Sequence, residues 1–391
     1  MTTRIVVVGA GVAGYTAVEF LRKSPINKDI KILWIAPQQK FVYKPFLFDI
    51  VSNYKKLNEY IFPLENYCER FHIDFTEGTV TQFLPSENAL ILASGVRVNY
   101  EYLLIATGEE RQIPQHLVSP NTLAFQTTKD IEIMLKYLDE QFAAGKKQLS
   151  LLRKPFLSLA MIANSLTSIE MLFALYNYTE MLRKKYDLRR NEINISYITA
   201  EKQFGGDIPL KLSDTLEQYG HDHDVDIYMH QVVTRIENNK VVLSSGTTLE
   251  TNTILVEGES VLANLYKNAT IKADEFGGIK VNNYLQLEDF YNIYACGSII
   301  NFYDWHKKEK AWHTFNTAQA QAKLAASNVV AEIRGRNKQA YKPQSGIELI
   351  PVNDQLSIGV YGDAVYFNSI MHYTRMFFAT KYLWQLTMPE S

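Results

Sequence analysis

Cysteine is nearly absent from the chain: Cys68 and Cys296 are the two in 391 residues. They lie far apart and form no Cys-x-x-Cys pair, which excludes a disulfide framework and the usual zinc or dithiol motifs. The reducing cytoplasm is therefore the expected compartment. A basic excess is also missing, since 40 Lys and Arg stand against 42 Asp and Glu for a formal net charge of -2. Nucleic-acid binders carry a basic stripe or surplus, so that partner class is not expected. No apolar run approaches the length of a bilayer span, and the first strand begins within a few residues of Met1, leaving no room for a signal peptide. Any membrane contact is expected to be peripheral.

What is there is a well-filled globular composition, 47% hydrophobic and 21% charged, long enough for two or three domains. The stretch that organises it runs from Arg4 to Leu21. A β-branched apolar run, Ile5 to Val8, turns through Gly9-Ala10-Gly11-Val12-Ala13-Gly14 into a segment with Ala17, Val18 and Leu21 at helical spacing. Strand, tight turn and helix with Gly-x-Gly-x-x-Gly spacing let a backbone approach a pyrophosphate, which then sits on the free amides at the helix start. Asp29 to Ile35 reads as the next parallel strand. Its end, Ile35-Ala36-Pro37, lacks the acid that commonly holds a ribose hydroxyl, so Gln38, Gln39, Lys40 or backbone must serve.

Phe41 to Asp49 is an aromatic, proline-stiffened loop that reads as too irregular for a helix start; it either covers something flat or plugs a gap between domains. From His72 to Leu104 alternation predicts a small β-sheet with a hairpin turn at Ser94-Gly95. A buried strand then ends in Ala106-Thr107-Gly108, which brings small groups and amides against a nucleotide. Gln148 to Leu152 is expected to be the first strand of a second α/β unit and Leu166 to Lys184 its helix. The turn between them, Arg153 to Asn164, contains no glycine, and Pro155 removes an amide. A second nucleotide site is therefore expected to be lost. Gly220-His221-Asp222-His223-Asp224, between a helix at Leu210 to Tyr219 and a strand at Val225 to Met229, reads as a solvated turn rather than a metal site.

These motifs resemble the two-dinucleotide-domain flavoproteins, in the branch of type II NADH dehydrogenases, sulfide:quinone oxidoreductases and the flavoprotein subunit of flavocytochrome c sulfide dehydrogenases. The residues that carry the resemblance are Gly9 to Gly14, the Phe41-x-Tyr43-x-Pro45-x-Leu47 loop, Ile105 to Gly108, Asn292 to Gly297 and Thr317-Ala318-Gln319. The resemblance implies an α/β fold with two Rossmann-like domains in the glutathione reductase-like arrangement, the second inserted in the first. Residues 1–125 and 276–345 would bind FAD, 126–275 would form the inserted domain, and 346–391 would be a C-terminal extension. It further implies that FAD is held by Gly9, Ala10, Gly11, Val12, Ala13, Gly14, Gln38, Lys44, Pro45, Val80, Ala106, Thr107, Gly108, Gly297, Ser298 and Gln319. Ser298 stands where the family carries an Asp.

The function implied is electron transfer through the flavin to a quinone near Gln319, with NADH disfavoured as donor because the second turn lacks glycine. The family's sulfide-oxidising cysteines are missing. Cys296 is the candidate for trapping a sulfane sulfur, its competing reading being a small packed residue. The segment 366–386 is aromatic and amphipathic, with Arg375 and Lys381 able to reach headgroups, so it is expected to touch the inner face of the cytoplasmic membrane or pack in a homodimer. The alternative reading is a degenerate subunit or scaffold of a membrane-linked redox complex.

Overall fold

Strand Thr3–Val8 (β1) leads into helix Val12–Lys23 (α1), and a short helix, Leu47–Ser52 (α2), follows the aromatic segment. Strand Ser158–Ile162 (β2) leads into helix Leu166–Lys185 (α3), and two later helices span Phe315–Ile333 (α4) and Ser369–Thr387 (α5). The computed structural model describes residues 2–52, 61–269, 271–304, 309–343 and 346–387. It divides into two units. One comprises Met1–Lys44, Asn58–Glu110 and Ser260–Gly346; the other comprises Pro45–Leu57, Arg111–Glu259 and Ile347–Ser391.

The first unit is built on a parallel sheet in the order Ile293–Ala295, Tyr102–Ile105, β1, Ile30–Ala36, Asp74–Glu77. Ile5, Val6 and Val7 are fully buried, as are Leu103, Leu104 and Ile105. Strands covered on both faces read as continuous apolar runs, which is why β1 was visible as one. Ala17, Val18 and Leu21 form the buried stripe of α1, which packs along α4. A small antiparallel sheet of Val80–Leu84, Ala89–Leu92 and Arg97–Asn99 turns at Gly95, whose φ of +81° suits glycine. Asp74–Glu77, expected in that small sheet, instead extends the parallel one by pairing with Ile30–Ala36.

The second unit repeats the plan. Its parallel sheet runs Thr122–Leu123, Thr253–Val256, β2, Asn194–Ile198, Val225–Tyr228. The strand that leads into helix Leu166–Lys185 is thus β2, not Gln148 to Leu152. Leu149, Leu151 and Leu152 are 76%, 93% and 57% exposed around a 3-10 turn, so their apolar character does not mark a buried strand. The glycine-free turn shrinks accordingly to Ala163-Asn164-Ser165. His221 and Asp222 finish the helix Leu210–Asp222 rather than lying in a turn, and the His223 ring rests on Tyr219.

The aromatic segment does begin a helix. Phe46 and Phe48 are buried, and α2 packs on α3. Its Asp49 forms a bidentate pair with Arg375 of α5, at 2.7 and 3.0 Å. Arg375 is 6% exposed and so does not reach outward to headgroups, as its charge and sequence position had suggested. Tyr366 and Phe367 belong to a strand, Ala364–Asn368, of an antiparallel sheet with Glu348–Pro351 and Ser357–Tyr361, on which α5 packs. Ile370, Tyr373, Phe377 and Trp384, spaced along one side of α5, are 60–71% exposed. No helix among the described residues is long and apolar enough to cross a membrane.

Candidate functional site

In an open parallel sheet the ligand crevice lies at the carboxyl ends of the strands, where the strand order reverses. In the first unit that point falls between β1 and Tyr102–Ile105 and brings together the Gly9–Gly14 turn and Ala106-Thr107-Gly108. The three glycines of the turn do three different jobs. A Cβ on Gly9 (φ +110°) would overlap the Ala106 carbonyl oxygen, and one on Gly14 would overlap the Gly9 carbonyl oxygen. Gly11 meets nothing within 4 Å; it faces the open crevice. It is also the N-cap of α1 and offers no side-chain capping bond, so the first-turn amides remain available for an anion. Trp34, fully buried on the neighbouring strand, donates its Nε1–H to the Gly9 carbonyl at 2.8 Å and fixes the turn from behind.

Two further segments close on this turn. Gly297 (φ +83°) and Ser298 follow the edge strand; the Ser298 hydroxyl accepts the Glu109 amide at 3.2 Å, and the Gly108 Cα hydrogen side faces the same hydroxyl. The Gly297 amide donates to Gln321 Oε1 at 2.9 Å. Gln321, 1% exposed on α4, is therefore the glutamine that touches the turn, while Gln319 is half-buried two residues earlier. Thr107 shares a 2.6 Å hydrogen bond with Tyr266, whose phenol is pushed up to about 12 by burial. Neither Gln321 nor Tyr266 was singled out from sequence. The second glutamine was visible at two-residue spacing, but Tyr266 carried no signal. His313, just ahead of α4, donates from Nε2 to the Ile300 carbonyl at 3.1 Å and places Nδ1 4.0 Å from Glu109.

The remaining sequence candidates are more dispersed. Gln38 is exposed just past the second strand, Lys44 is exposed on a 3-10 turn, and Val80 is buried at the start of its strand. Pro45 belongs to the second unit, where its carbonyl accepts from Arg375 at 3.4 Å. Cys296 is wholly buried beside Ile105, to whose carbonyl its amide donates at 3.0 Å, and burial pushes its thiol up to about 12. Burial likewise pushes the Cys68 thiol up to about 11. Since the thiolate is the reactive form, this geometry favours the packing reading of Cys296 over sulfur trapping.

The crevice of the first unit thus fits a dinucleotide: an uncapped helix start, an open slot at Gly11 that a side chain would fill, and small groups at Ala106 to Gly108. Comparison with known proteins agrees. Residues 3–322 match the family model described as pyridine nucleotide-disulphide oxidoreductase. The sulfide-quinone reductase of Aquifex aeolicus is 22% identical over 360 residues, covering 88% of this chain and 80% of that protein. The NADH oxidase of Methanocaldococcus jannaschii is 25% identical over 342 residues, covering 83% of this chain and 70% of that protein. Among solved structures, the Aquifex aeolicus sulfide:quinone oxidoreductase superposes with a TM-score of 0.82 at 20% identity, over 98% of this chain and 91% of that one. The NDH2 of Plasmodium falciparum in complex with NADH gives 0.82 at 14% identity, over 99% and 95%. The chain belongs to the pyridine nucleotide-disulphide oxidoreductase family, as an FAD-binding flavoprotein oxidoreductase.

Proposed function

We propose that this flavoprotein delivers electrons to a quinone, takes them from a donor other than NADH, and works while attached peripherally to a membrane through α5. The observation that carries the quinone is the outward row of Ile370, Tyr373, Phe377 and Trp384. A lipid-soluble acceptor is met at a lipid surface, and large aromatics beside the exposed Lys381 suit the headgroup boundary. Bound FAD supplies the two-electron chemistry. The chain's own part is placement. Gly9 to Gly14 would cradle the pyrophosphate, Thr107 and Gly108 the adjoining sugar and phosphate groups, and Gly297-Ser298 the remainder, with hydroxyls and amides serving where related proteins use acids. Gln38, Lys44, Val80 and Gln319 are assigned to the same cofactor on resemblance. With both thiols buried and raised, the donor reaches the flavin without a cysteine relay.

The test is anaerobic. Purified protein, photoreduced so that no donor need be known, is mixed with a short-chain quinone, and flavin reoxidation is followed by absorbance. Reoxidation by quinone much faster than by air-saturated buffer, with no bleaching of the oxidised flavin by NADH, is the expected result. Rapid bleaching by NADH, or indifference to quinone, sinks the reading.

A further inference from the structure

Four neighbouring strands follow the same order in the two sheets, so the second has its own crevice, at the ends of β2 and Thr253–Val256. There the position matching the open turn of the first unit is filled from within. Glu257, 5% exposed, directs its carboxylate at the β2–α3 turn. Its Oε2 accepts the Asn164 amide at 2.9 Å, its Oε1 accepts the Ser165 hydroxyl, and Arg111 Nη1 lies 3.0 Å from Oε1. Ser165 and Ser168 complete a capping box on α3, each side chain meeting the other's amide at 3.2 Å. Gln126 holds the Glu257 carbonyl at 3.1 Å, and Arg111 also donates to the Gly258 carbonyl at 3.4 Å.

We infer that Glu257 is a specificity-determining residue: its carboxylate stands in for the phosphate of a dinucleotide, using up the donors and the positive end of α3 that a pyridine nucleotide would need. The contrast is internal to the chain. The helix after β1 starts on a bare glycine, and the helix after β2 starts on a self-capped serine with a buried anion already attached. Any phosphate entering the second crevice would meet the Glu257 carboxylate at hydrogen-bonding range and find the Asn164, Ser165 and Ser168 amides already engaged. Arg111, 3.0 Å from Oε1, holds the Glu257 carboxylate in place, and without Glu257 it would form, together with the Asn164 amide, an anion site.

This inference rests on the reading that NADH is not the donor. Its test is thermal unfolding of the FAD-loaded protein with ADP-ribose, NADH or inorganic pyrophosphate, each against sodium chloride of equal ionic strength. The wild type is expected to show no nucleotide-specific shift. Glu257→Ala is expected to gain one of at least about 2 °C with ADP-ribose or pyrophosphate, and the gain is expected to vanish in Glu257→Ala/Arg111→Met. If Glu257→Ala does not fold, Glu257→Ser, which leaves a hydroxyl for the Asn164 amide, carries the same measurement. Wild-type stabilisation by NADH overturns both this inference and the donor reading. A silent wild type with folded variants that gain nothing overturns the Glu257 assignment alone.

Discussion

At the residue scale, the glycines of the first crevice divide by what a methyl group would meet. Gly11 opens onto empty space, so Gly11→Val is expected to leave the apo fold intact while filling the phosphate slot. Flavin content of the purified variant should fall by an order of magnitude or more, with its far-ultraviolet circular dichroism unchanged. Gly14→Ala should behave differently, because its Cβ collides with backbone, and lose folded yield along with flavin. Gln321 makes a third case. Replacing it with Leu strands the Gly297 amide away from water, which costs about 1–3 kcal/mol. Urea denaturation of apo protein measures that cost, and an unchanged midpoint would show that Gln321 does not anchor the turn.

At the scale of elements, α5 is held by a charge. Arg375 reaches Asp49 across 326 positions of sequence and lies over the Phe46 and Phe48 rings, 5.8 and 5.9 Å from their centroids. Removing one partner of a buried pair leaves the other uncompensated, so Arg375→Met is expected to cost about 3–5 kcal/mol, and Arg375→Met/Asp49→Leu to recover much of it. Hydrogen exchange in α5 reads both. Glu170 of α3 stands near this pair. Desolvation pushes its carboxyl up to about 8, against Arg375, which lowers it, and with help from Glu348 and Asp49. The folded state therefore keeps a proton that the unfolded chain releases near 4.5. Stability contributed by Glu170 is full below that value, is lost as pH rises towards about 8, and levels off beyond. His372, held below its usual 6.5 by desolvation and Arg375, acts in the opposite sense but only beneath 6.5. The interval from 6.5 to 8 thus isolates Glu170. Denaturation midpoints should fall across it, and the Glu170→Gln variant should flatten the slope.

At the scale of the whole molecule, the outward aromatics of α5 predict sedimentation with anionic vesicles, and Phe377→Asp should abolish it while sparing flavin content. A wild type that stays in the supernatant would remove the membrane from the proposal. How much of this was legible in sequence depends on the range of the forces involved. β1, its glycine turn and α1 are coded locally by periodicity and by glycine, and they stand where the pattern put them. The aromatic segment was not legible, because Phe46 and Phe48 begin a helix only where α3 covers them and Arg375 pairs with Asp49. Leu149 to Leu152 misled for the converse reason: apolar residues left exposed look like a strand. Glu257 carried no motif at all, and its role exists only once Thr253–Val256 lies beside β2.

The bond from Trp34 to the Gly9 carbonyl has one more consequence. It sets an indole directly behind the turn on which the cofactor rests, in rigid, dry surroundings. Light absorbed there would pass to a bound flavin by resonance energy transfer, so the intrinsic ultraviolet emission of Trp34 should dim as the site fills and brighten as it empties. The protein carries its own optical gauge of occupancy, and a titration in the fluorimeter with a Trp34→Phe control would read it without any label.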